Sequence, residues 1–126
     1  MSTLKLDTLS NKAGTASVPS DTIVSGTAKA WVNFDGTGTV AIRRAFNVSS
    51  ITDQGTGRYQ VNFITEMTDA NYSFIGMSGG TDNDQNVCIE ATSNNTASTS
   101  SFYVVVRQQS TNSLEDSSYV CCAIFS

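Results

Sequence analysis

AWVNFDGTGTVAIRRAFNVSSITDQGTGRYQVNF, residues 30 to 63, holds three runs of alternating apolar and polar residues separated by two Gly-Thr-Gly triplets. Side chains of an extended strand alternate between two faces, so a period of two is the mark of a half-buried strand. With Ala28 included, Ala28, Ala30, Val32 and Phe34 fall on one face, and Lys29, Trp31 and Asn33 on the other. Asp35-Gly36-Thr37-Gly38 then forms a turn, because glycine reaches the positive φ that tight hairpins need. Val40, Ile42, Phe46 and Val48 share the next parity, Asp53 to Gly57 turns the chain again, and Tyr59, Val61 and Phe63 resume the pattern. These three strands most simply form a meander.

Outward from this stretch the same period continues. Strands are expected at Tyr72 to Met77, Val87 to Ala91, Phe102 to Arg107 and Tyr119 to Phe125, and no segment carries apolar residues at helical spacing over three turns. Many short strands with polar turns predict an all-β chain, an antiparallel, jelly-roll-like β-sandwich over residues 28–126. Residues 1–27 differ. Leu4, Leu6 and Leu9 are isolated apolar residues in a polar segment that also holds the single proline, Pro19, followed by Ile23 and Val24. This segment reads as an extended N-terminal arm, with the three leucines as its anchors.

Two positions depart from the half-buried rule. Arg44 lies on the apolar parity of its strand, which calls either for a bulge that re-aims it or for a partner surface. The last strand, YVCCAIF, is apolar on both faces: Tyr119, Cys121, Ala123 and Phe125 on one, Val120, Cys122 and Ile124 on the other. A strand buried on both sides needs a second cover, supplied by another copy of the chain or by the arm folded back. Val120, Cys122 and Ile124 are the candidate residues of an interface between copies.

Composition narrows the function. Of 126 residues, 18 are Ser, 16 Thr and 10 Asn, about a third of the chain, whereas only 14% are charged. The net charge of −4 leaves no basic stripe for a phosphate backbone, so nucleic acid is not an expected partner. No run approaches the roughly 18 apolar residues of a membrane span, and residues 1–14 lack the core of a signal peptide. Synthesis in a cytoplasm without membrane insertion is expected. The three cysteines, with Cys121 and Cys122 adjacent on opposite faces of a strand, read as buried free thiols.

Motifs of catalysis are weak. Gly76-Met77-Ser78-Gly79-Gly80 matches the spacing of a nucleophile elbow, but that motif needs a strand, a sharp turn, a helix and a histidine, and the chain has no histidine. Asp82, Asp84 and Asn86 mimic the opening of a calcium loop, yet Val87 stands where glycine is needed and Ser93 where the closing glutamate belongs. Acids such as Asp35, Asp53 and Asp69 occupy turns, where aspartate is favoured for backbone hydrogen bonding alone. No enzymatic activity, cofactor or metal is expected. Aromatic residues open a different class, a sugar-stacking surface for a cell-surface glycan. Parity places Tyr59 and Tyr72 inside and leaves Trp31 and Tyr103, with Arg44, as candidate ligand or partner contacts.

The order of motifs in residues 30–63, followed by Asp69-Ala70-Asn71-Tyr72 and the closing SSYVCCAIF, resembles a module of tail fibres and related virion proteins of tailed bacteriophages, notably those infecting marine bacteria and cyanobacteria. The opening STLKLDTLSNKAG is similar to the lead-in segment of many such fibres. The resemblance implies a non-catalytic homotrimer in the virion, bound to other phage structural proteins through the arm. Its implied roles are a short tail or neck fibre touching the host surface, or a decoration protein that cements the capsid.

Overall fold

The computed structural model describes residues 1–79, 85–87 and 97–126. The chain is mostly β, and the strand pairings are antiparallel. It begins with β1 (Thr8–Ser10), β2 (Ser17–Pro19) and a short helix, α1 (Ser20–Gly26). Then follow β3 (Ala30–Asp35), β4 (Ala41–Phe46), β5 (Val48–Asp53), β6 (Arg58–Phe63), β7 (Ser73–Gly79), β8 (Gln85–Val87), β9 (Ser101–Gln108) and β10 (Tyr119–Phe125). One four-stranded sheet has the order β4-β3-β10-β7 and the other β5-β6-β9-β8.

The alternation read from the sequence sorts side chains as expected on β3, β6 and β9, whereas on β4 a bulge puts Phe46 in the outward row beside Trp31 and off the parity of Ile42. Ala30, Val32 and Phe34 of β3, Tyr59, Val61 and Phe63 of β6, and Phe102, Val104 and Val106 of β9 are all buried in one core. Aromatic contacts join the two sheets: the Phe34 and Tyr59 rings meet edge to face at 5.1 Å, and Phe74 stacks on Phe102 at 6.3 Å. Tyr59 and Tyr72 lie inside, as expected.

The meander is not what forms. The run from residue 40 to 53 breaks at Asn47 into two strands of different sheets, so β3-β4 and β5-β6 are separate hairpins. Asn47 adopts a left-handed backbone, φ 55°, a conformation asparagine tolerates better than most residues. Its amide clamps the corner: Nδ2 donates to the Lys29 and Thr65 carbonyls, both at 3.0 Å, and Oδ1 accepts from the Thr65 N–H at 2.7 Å. Asn47→Gly keeps the backbone and loses the clamp, an expected cost of about 1–2 kcal/mol. Asn47→Ala adds left-handed strain of about 1–2 kcal/mol and ranks below it in urea unfolding.

The arm is also more structured than an extended segment. β1 and β2 pair as a hairpin, closed by Asn11, whose Oδ1 accepts from the Thr15 and Ala16 N–H groups at 3.0 and 3.3 Å. Every residue from 1 to 17 is exposed, and no residue of α1 is buried. A lone two-stranded hairpin is marginal in water, so this element gains little from the chain's own core.

The expected Val87 to Ala91 strand overlaps β8 only at Val87, and residues 88–91 lie outside the described residues. Cys121 is half-buried and Cys122 buried, both as free thiols, while Cys88 lies outside the described residues. Among the described residues, no helix is long and apolar enough to cross a membrane.

Candidate functional site

The outward faces of the two sheets differ in chemistry. On the β5-β6-β9 face, polar side chains bond to one another. Asn62 Nδ2 donates to Ser50 Oγ and Thr52 Oγ1, both at 3.0 Å, and Gln60 Nε2 to Ser101 Oγ at 3.1 Å. Tyr103 is here, half-buried, its hydroxyl 3.3 Å from Gln60 Oε1. This face suits water.

The β4-β3-β10-β7 face is apolar and open. Strand register sets its rows: Phe46, Trp31, Ala123 and Ile75 lie side by side, and Arg44, Asn33, Cys121 and Met77 form the next row. Ile75 and Met77 are each 62% exposed, Phe46 53% and Trp31 37%. The two central strands carry shorter side chains at Asn33, Cys121 and Ala123, whereas β4 and β7 carry long ones. The result is an open trough of about 800 Å³ running along the strands. Lone exposed apolar residues are ordinary, but a contiguous patch marks an interaction surface.

The charged end of the trough comes from a bulge. Asn33 pairs with Arg44 and Phe34 with Ile42, so Arg43 is the extra residue and both arginines line the trough. This is the bulge expected to re-aim Arg44. Arg43 is held: Nη2 donates to Asp35 Oδ2 at 2.9 Å, Nη1 to the Ser118 carbonyl at 2.5 Å, and its guanidinium lies 5.9 Å from the centre of the Tyr119 ring. The Thr37 hydroxyl and N–H, at 2.6 and 2.9 Å, hold the Asp35 carboxyl below its usual range, and Arg43 adds to the effect. Arg44 has no ion pair among the described residues. Asn33 Oδ1 is buried and accepts no hydrogen bond among them.

Several expected site residues fall elsewhere. Val120, Cys122 and Ile124, expected at a subunit interface, are buried in the protomer's own core. A partner cannot reach them. The outward parity of β10 is the other one, with Tyr119, Cys121, Ala123 and Phe125. Trp31 and Arg44 share the trough, but Tyr103 is on the other sheet, so Trp31 and Tyr103 form no common stacking platform. Leu4, Leu6 and Leu9 are exposed on the arm. Ile75, Met77 and Phe46 were not singled out from the sequence, although the shared parity of Ile75 and Met77 was visible there.

Ser78 lies within β7 and not on an elbow, and its hydroxyl is buried without a hydrogen-bond partner among the described residues. Gly80, Asp82 and Asp84 lie outside the described residues, and Asn86 sits in β8. Among the described residues, no group of three or more metal-binding side chains converges. No family model matches the chain, and no curated protein or solved structure is measurably similar to it.

Proposed function

We propose that this chain is a non-enzymatic virion structural protein of a tailed bacteriophage, a short tail or neck fibre that works as a homotrimer. Residues 28–126 form its jelly-roll-like sandwich body, and residues 1–27 are the arm that joins it to the virion. The observation that carries the proposal is the contrast between sheet faces, one hydrogen-bonded and polar, the other an open apolar trough. A face of that kind is covered in an assembly, and the polar face is left to look outward. The resemblance of residues 30–63 and SSYVCCAIF to phage fibre modules supplies the setting.

Quantitative mass spectrometry of purified particles, against the major capsid protein, tests the role. A small multiple of three copies is expected. A copy number near that of the capsid protein would replace the fibre by a decoration protein, and absence from particles would overturn a virion role. Self-association has its own check. Met77→Asp puts a carboxylate into the covered trough, which costs about 3 kcal/mol or more, at least about a hundredfold in association. Native mass spectrometry is expected to find the wild type trimeric and this variant monomeric.

A further inference from the structure

We infer that the occupant of the trough is the N-terminal segment of a second copy, residues 1–7, laid along the strands with Leu4 and Leu6 pointing in. The inference rests on the self-association proposed above and names what each copy contributes to it. Two unsatisfied surfaces of one chain carry it. The first is the trough, whose apolar rows at Trp31–Ala123–Ile75 and Asn33–Cys121–Met77 stand two residues apart along the strands. The second is the segment before β1, exposed throughout, with Leu4 81% exposed and Leu6 47%.

Their spacing matches. In Ser2-Thr3-Leu4-Lys5-Leu6-Asp7 the leucines alternate with polar residues, so an extended segment presents both leucines on one side, about 6.8 Å apart. That is also the distance between two rows of the sheet, since each row lies two residues beyond the last. Leu4 and Leu6 therefore seat in successive rows over Ala123 and Cys121, between Trp31 on β3 with Arg44 on β4 and Ile75 with Met77 on β7.

The contact joins two different surfaces, arm to trough, so each copy gives one and receives one. Such a heterologous contact closes into a ring when its rotation allows, which a trimer satisfies, whereas face-to-face packing of two troughs stops at a dimer. The segment's anchor is compatible with reaching outward: the Ser20 N–H donates to the Asp7 carbonyl at 2.9 Å, so residues 1–6 leave the body beside α1 and not from within a sheet.

Complementation tests this. Leu6→Asp disables the arm and leaves the trough, while Met77→Asp disables the trough and leaves the arm. Both positions are exposed, and circular dichroism confirms that each variant folds. Native mass spectrometry is expected to find each variant monomeric alone and a one-to-one dimer when they are mixed, with Leu6→Met restoring the trimer. A trimer that survives Leu6→Asp, or a mixture that stays monomeric, overturns arm exchange and leaves self-association through the trough standing. A monomeric wild type overturns both.

Discussion

Gly57→Ala is expected to lower the stability of the fold by about 3 kcal/mol or more. Two costs meet at this residue. Its φ of +64° is left-handed, which charges a side chain about 1–2 kcal/mol. A Cβ there would also lie 2.5 Å from the Val106 carbonyl oxygen and 2.8 Å from the Glu115 nitrogen, both backbone atoms that cannot step aside. The turn is pinned by its own bonds: Val106 N–H donates to the Gly57 carbonyl at 2.8 Å, and Gly57 N–H to Asp116 Oδ1 at 2.8 Å.

The other Gly-Thr-Gly turn separates the two costs. Gly38 has a φ of +58° with open space around it, so Gly38→Ala reports backbone strain alone. Gly36 has no positive φ, but a Cβ there would collide with the Tyr59 hydroxyl and ring, so Gly36→Ala reports lack of space alone. In urea unfolding, the loss at Gly57 is expected to approach the sum of the other two and to move the melting temperature by about 10 °C. A Gly57→Ala loss no larger than that of Gly38→Ala would show that the Val106 and Glu115 backbone gives way.

Above pH 9 the protein is expected to lose stability steeply, first through Cys122 and then through Tyr59. Burial, with the Cys121 thiol beside it, pushes the Cys122 thiol up from 9.0 to about 12. Tyr59 is raised well above 10.0 by burial and by the Asp116 carboxylate, whose Oδ1 lies 2.8 Å from its hydroxyl. In the unfolded chain these groups release their protons at the ordinary values. The unfolded state therefore binds fewer protons in this range, and stability falls as pH rises. Stability is full below about pH 9 and declines by about 1.4 kcal/mol per pH unit for each group, about 4 kcal/mol for Cys122 by pH 12.

Cys122→Ala should remove the first part of that decline. Its cost at neutral pH is about 1–2 kcal/mol, for the lost sulfur contact, and its stability should stay flat to about pH 10, where Tyr59 takes over. Urea unfolding across this range checks both. A wild-type curve that is flat between pH 9 and 11 would mean that water reaches Cys122.

The same two residues show how much of this protein was legible beforehand. Tyr59 was placed inside from its parity with Val61 and Phe63, and its burial follows from nothing more than alternation along one strand. Cys122 reads from the sequence as a buried thiol and as an interface residue, and in the structure it belongs to the protomer's own core. Alternation divides YVCCAIF into two sets but does not say which set faces the core when both are apolar. That is decided by where β10 inserts, between β3 and β7, a pairing of residues roughly 45 to 90 positions apart that no local pattern records.

The site follows the same division. The alternation of Leu4 and Leu6, the parity of Ile75 and Met77, the odd placement of Arg44 and the all-β character were properties of the chain by itself, because each depends only on near neighbours. The break at Asn47 was not among them. Residues 40 to 53 read as a strand and a turn, yet a left-handed residue with a side chain that bonds Lys29 and Thr65 sends the two halves to different sheets. Only tertiary pairing then brings Phe46, Trp31, Ala123 and Ile75 into one row. A trough is a property of four neighbouring strands, and which strands become neighbours is settled by the shared core and not by any one of them.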